Sequence, residues 1–133
     1  VKSMNVYLTD KEEHGSFELK GGGKVHLRLR NEADEKEIRA ACVTTVVEYP
    51  ALDGKYQRFE TEKTDMEKYV EMCWDKNIVG WDGINEDKKP VPVTKENKIA
   101  LMKKSAAFLE AIQDGLNALR EASKTKAEQA EKN

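Results

Sequence analysis

Apolar and polar residues alternate one by one in "KVHLRLR", where Val25, Leu27 and Leu29 fall to one side and His26, Arg28 and Arg30 to the other. A period of two predicts a half-buried strand. Phe17 and Leu19 of "SFELK" keep the same rhythm, and the "GGG" at Gly21 to Gly23 supplies residues that take positive φ at little cost, so the two segments predict an antiparallel hairpin. "MNVYL" is a candidate third strand. The period then changes. "NEADEKEIRAAC" opens on Asn31 as N-cap, carries acidic residues in its first turn and sets Ile38, Ala41 and Cys42 on one face, which predicts a short helix. "VTTVVEY" is β-branched almost throughout and suits a strand, and "PALDG" before "KYQRFET" is turn chemistry. A hairpin from Val43 to Thr61 is therefore expected, with continuation of the preceding helix to Val47 as its rival.

In "TDMEKYVEMCWDK" Thr64 and Glu67 have capping-box spacing, and Met66, Tyr69, Val70, Cys73 and Trp74 recur as one helical face, so all five are expected in the core. The elbow "IVGWDGINEDKKPVPVTKEN" follows. Pro90 and Pro92 forbid regular helix there, Thr94 offers the next N-cap, and Trp81 is expected to bury its ring between the Trp74 helix and the C-terminal helices. From Lys95 the pattern is helical. Ile99, Met102, Ala106, Leu109, Ile112, Leu116 and Leu119 recur every three or four residues but drift around the cylinder, and a break near Ser105 would realign them. Gly115 costs that helix about 1 kcal/mol relative to alanine, which points to close packing or local mobility. Beyond Ala122 there is no large apolar residue. The chain thus reads as one α+β domain over residues 1–122, with a small N-terminal antiparallel β portion and a mainly helical C-terminal half, and a charged, fraying tail over 123–133.

At 133 residues the chain can bury a core without disulfides. Its 36% charged and 38% hydrophobic residues and its mean hydropathy of -0.78 predict much exposed helix. Basic and acidic residues are interspersed at a net charge of -2, poor equipment for nucleic acid. No run is apolar enough to span a membrane and none resembles a secretory signal, so a cytoplasmic protein is expected. Cys42 and Cys73 are expected as buried reduced thiols, and with His14 and His26 they lack metal-site spacing. Asp75, Asn77, Gly80 and Glu86 occupy positions 1, 3, 6 and 12 of a calcium loop. Val79 at position 5 offers no side-chain oxygen, however, and prolines stand where the exiting helix should continue. Cys73 lies on an apolar helix face, where a thiolate is disfavoured. No convergent polar set emerges, so neither catalytic residues nor cofactors are expected.

The elbow carries a resemblance. A helix ending in an apolar pair, then "WDGI", an acidic turn, "KPVPVT", "KEN" and an apolar helix resembles the C-terminal half of tail assembly chaperones of long-tailed bacteriophages and prophages. Trp81, Gly83, Pro90, Pro92, Thr94, Glu96 and Asn97 fall on the family's positions, and the likeness runs from Met66 to Leu119. The glycine often found before the Pro-apolar-Pro run is replaced by Lys88 and Lys89, so this turn has to close by another geometry. The resemblance implies a small α+β protein of the host bacterial cytoplasm, absent from the mature virion, that binds the tape measure protein and assists assembly of tail tube protein. Self-association is compatible with it; nucleic acid and membrane are not among the implied partners. Trp81 and the stripe Leu109, Ile112, Leu116 and Leu119 are the candidate partner-binding residues, core packing being the competing use of the stripe. A virion structural protein, such as a head-tail connector or tail completion factor, is the alternative.

Overall fold

The computed structural model describes residues 5–8 and 13–132, with side chains from 14 to 125. In chain order come β1 (Asn5–Leu8), β2 (Glu13–Glu18), β3 (Lys24–Arg28), α1 (Glu32–Cys42), β4 (Val43–Glu48), β5 (Ala51–Leu52), β6 (Lys55–Tyr56) and β7 (Phe59–Thr64). There follow α2 (Met66–Asn77), β8 (Ile78–Asp82), β9 (Asn85–Glu86), β10 (Lys89–Pro90), α3 (Lys95–Lys104) and α4 (Ala106–Lys132). This is an α+β fold, with antiparallel strands first and helices last.

β1, β2, β3 and β8 form a four-stranded antiparallel sheet in that order. The fourth strand is not in the predicted β portion: it is the start of the elbow. Trp81 pairs with Val25 and Gly80 with His26, and a bulge between His26 and Leu27 then sets Leu27 against Ile78. Trp81, read as part of the elbow, is therefore a strand residue. The β-branched Ile78 and Val79 favour extended backbone, and the open edge of β3 needed a partner.

α4 crosses one face of this sheet. Val25, Leu27, Ile78 and Trp81 from the strands meet Met102, Phe108, Ile112, Leu116 and Leu119 from α3 and α4 in the main core. The break at Ser105 is as expected: its N–H donates to the Leu101 carbonyl to end α3, and its Oγ accepts from the Phe108 N–H to start α4. The new register leaves Ala106 exposed and puts Phe108 in the core instead. Gly115 allows the close approach. A Cβ there would lie 2.6 Å from Leu27 Cδ1 and 3.0 Å from the Phe17 ring. α4 continues through Lys132, so the charged segment from 123 is helical up to that residue.

A second cluster joins α1 to α2 through Ile38, Cys42 and Cys73, with Tyr69 and Met72 against them. α1 begins on a reciprocal cap, in which Asn31 Oδ1 accepts from the Asp34 N–H and Asp34 Oδ2 from the Asn31 N–H. Asp34 is buried and also takes both terminal nitrogens of Arg28, at 2.7 and 3.1 Å, which ties α1 to β3. At α2 the expected capping pair is wrong: Thr64 is the last residue of β7, paired with Val43, and Asp65 is the cap, accepting from the Lys68 N–H. Of the five residues expected in the core, Met66 and Val70 are exposed: α2 packs on the two clusters through Tyr69, Met72, Cys73 and Trp74, and neither cluster includes the other two.

Between α1 and α2 the strand reading prevails over the helical one. β4 pairs with β7 through six cross-strand partners, Val43 with Thr64 to Glu48 with Phe59, so the hairpin runs past the expected Thr61. At the elbow, the turn without glycine closes with Asp87 at φ 50° and Lys88 at φ 66° between β9 and β10. Both central residues are left-handed, as in a two-residue type I′ turn.

Two stability measurements follow. The Arg28 hydrogen bond holds the Asp34 carboxyl below its ordinary range, against the opposing effect of burial. A depressed folded-state pKa contributes stability that is complete above the unfolded value and lost as pH falls through the folded one. Asp34→Asn is therefore less stable at neutral pH and shows a flatter loss of urea midpoint between about pH 5 and pH 2. Gly115→Ala lowers stability by about 1–2 kcal/mol in urea unfolding, because overpacking against Leu27 and Phe17 outweighs the helix-propensity gain of about 1 kcal/mol.

Candidate interaction surface

The hairpin between α1 and α2 stands apart from both cores. β-branched residues hold β4 extended, and Asp53 at φ 51° with Gly54 at φ 76° makes the tight turn between β5 and β6. The Gln57 N–H donating to the Pro50 carbonyl links the outer part, and the Asp65 N–H donating to the Cys42 carbonyl closes the base. No third strand pairs with β4 or β7 among the described residues, and every residue of β7 is exposed.

This arm carries large apolar side chains into solvent. Tyr56 is 79% exposed, Tyr49 61%, Leu52 46%, Phe59 43% and Val47 38%. Met66 and Val70, at the start of α2, are exposed as well. Single exposed apolar residues are ordinary, but a cluster on one element marks a contact surface. Tyrosine and phenylalanine offer large contact area with few rotatable bonds to freeze.

The residues singled out from the sequence lie elsewhere. Trp81 is buried, with its ring edge-on to Phe108 at 6.0 Å and 88°, and its Nε1–H donates to the Val91 carbonyl at 2.8 Å. It pins the proline segment to the sheet. Ile112, Leu116 and Leu119 are buried in the main core and Leu109 packs partly buried against it. The fold does bring this stripe together with Trp81, but facing inward, where it forms no surface. The hairpin itself is expected from the sequence, but its exposed aromatic residues are not singled out there: "EYPALDGKYQRF" holds Tyr49, Leu52, Tyr56 and Phe59 with no alternation to assign a buried face.

Ser16, His26 and Asp82 line up across three strands, with Ser16 Oγ 2.7 Å from His26 Nδ1 and Asp82 Oδ2 2.7 Å from Nε2. Asp82 accepts from Nε2–H, and Nδ1 then accepts the Ser16 hydroxyl. The order is that of a nucleophilic relay, but the neighbouring depression is lined by Glu18, Leu19, Gly22, Gly23, Lys24, Asp82 and Gly83 and touches neither Ser16 nor His26. The row braces the open face of the sheet. Burial pushes the Cys73 thiol up despite the Arg30 guanidinium 2.7 Å away, which disfavours the nucleophilic form. Asp75 and Asn77 lie inside α2 and Gly80 inside β8, so the calcium-loop spacing never forms a loop; Asp75 receives Lys98 instead. No group of three metal-binding side chains occurs among the described residues, and no helix among them is long and apolar enough to cross a membrane.

Comparisons with protein families, curated proteins and solved structures find no match for this chain.

The division between arm and core has a direct test. Tyr49→Ser and Tyr56→Ser each change the urea-unfolding free energy by less than about 0.5 kcal/mol, as exposed sites do. Leu119→Ala, in contrast, costs about 2–5 kcal/mol by opening a cavity under α4.

Proposed function

We propose that this protein is a phage tail assembly chaperone that works through protein contacts, holding the tape measure protein in the host cytoplasm and assisting recruitment of tail tube protein. The observation that carries the reading is the arm, whose Tyr49, Leu52, Tyr56 and Phe59 are exposed on a ribbon that serves neither core. The elbow's resemblance to the chaperone family supplies the client.

The physical logic fits the task. A long client with apolar helical faces needs a mobile apolar surface that shields it before its final partners arrive, and affinity must stay low enough for release. Aromatic side chains at the end of a two-stranded arm meet both demands, while the body behind them stays folded on its own cores. Trp81 acts on this reading as a structural pin rather than a contact.

Co-expression with the tape measure protein of the same genome tests it. The expected result is a soluble complex whose affinity falls about 30-fold in the Tyr49→Ser/Tyr56→Ser double variant, the loss of a buried aromatic contact of about 2 kcal/mol. Immunoblotting should find the protein in lysate of particle-producing cells and not in purified particles. Full-length protein retained in particles would overturn the chaperone reading in favour of a virion structural protein.

A further inference from the structure

We infer that the outer edge of β4 is a self-pairing edge, at which a second copy of this chain adds its own β4 antiparallel, making a four-stranded sheet in the order β7, β4, β4, β7. This goes beyond the proposed function and does not depend on which client the arm meets.

Three observations point there. A two-stranded ribbon is marginal in water, and among the described residues no third strand completes this one. Its two edges are also unlike. β7 reads "FETEKT", whose alternating charges guard a free edge, whereas β4 reads "VTTVVE", five uncharged β-branched residues before the first charge.

The third observation chooses the occupant. In an antiparallel homodimer the two-fold axis stands perpendicular to the sheet, so facing residues must share a face and differ by an even number in sequence. Centring the axis on Thr45 sets Val43 against Val47 of the second copy, Thr44 against Val46 and Thr45 against Thr45, with no charge in the seam. The corresponding pairing of β7 about Thr61 sets Glu60 against Glu62 on both sides of the axis, and like charges facing across strands destabilise. Pairing β4 to β7 of another copy would leave the opposite edges free and propagate without closing. Of the two seams that close, only that of β4 faces no like charges across the axis, and it leaves both charged strands outermost.

The same two-fold carries each arm tip toward the other copy's α1–α2 junction. Seven of the nine exposed large hydrophobic residues among the described positions lie on the arm or the first turns of α2: Val47, Tyr49, Leu52, Tyr56, Phe59, Met66 and Val70.

Sedimentation equilibrium of the full chain over a wide dilution series tests the inference, with disulfide trapping as an independent readout. The expected mass is twice the 15.1 kDa protomer, falling to one protomer in Thr45→Lys, whose lysine faces Glu62 within its own hairpin but another lysine across the axis. Unchanged circular dichroism of that variant separates a lost seam from a lost fold. Thr45→Cys should give a covalent dimer on mild oxidation, and Glu62→Cys on the guarded edge should not. A wild-type monomer at every concentration would overturn the inference, as would a dimer that survives Thr45→Lys or is trapped through residue 62 and not through residue 45.

Discussion

Everything in the body of this protein rests on how closely α4 approaches the sheet. Gly115 sits where a side chain would strike Leu27 and Phe17, and the helix can come down far enough for Phe108, Ile112, Leu116 and Leu119 to seal Val25, Leu27 and Trp81 from water. A glycine inside a helix is a local cost that the main core offsets many times over. The break at Ser105 belongs to the same constraint. It lets α3 turn toward α2, where Lys98 reaches the Asp75 carboxylate and carbonyl, while α4 takes its own line across the strands.

The elbow is the joint that makes this possible. β8 completes the sheet beside β3, Trp81 points into the core, and its indole N–H holds the Val91 carbonyl, so the proline run is anchored before Thr94 caps α3. The segment that looks most like a binding loop in the sequence is thus spent on architecture. Its prolines stop helix from starting early, and its left-handed pair at Asp87 and Lys88 reverses the chain without glycine.

Much of the fold was legible because it rests on local rules. Alternation wrote β2 and β3, Asn31 and Thr94 wrote two helix starts, and the drift of the C-terminal stripe wrote the break at Ser105. What stayed hidden depends on distant residues. Nothing local says that Ile78 to Asp82 pairs with residues fifty positions earlier, that Thr64 is taken by Val43 and so cannot cap α2, or that Met66 and Val70 face water despite their helical spacing. The site was the least legible part. An inward stripe and an outward stripe have the same period, and the core claimed Leu109, Ile112, Leu116 and Leu119 because α4 is the helix that crosses the sheet.

The arm follows the opposite rule. Its residues have strand propensity and turn chemistry but no assigned inside, so they form a ribbon whose side chains remain available on both faces. Local stability is lowest where buried contacts are fewest, and a ribbon of this kind gains most from whatever binds it. Because neither core includes it, changes at Tyr49, Leu52 or Tyr56 alter contact without endangering the body. The asymmetry of its edges then decides which contact is backbone and which is side chain. Glutamates and a lysine keep β7 from strand addition, β4 carries no charge before Glu48, and the aromatic tip beyond them is free to meet a surface that is not a strand at all.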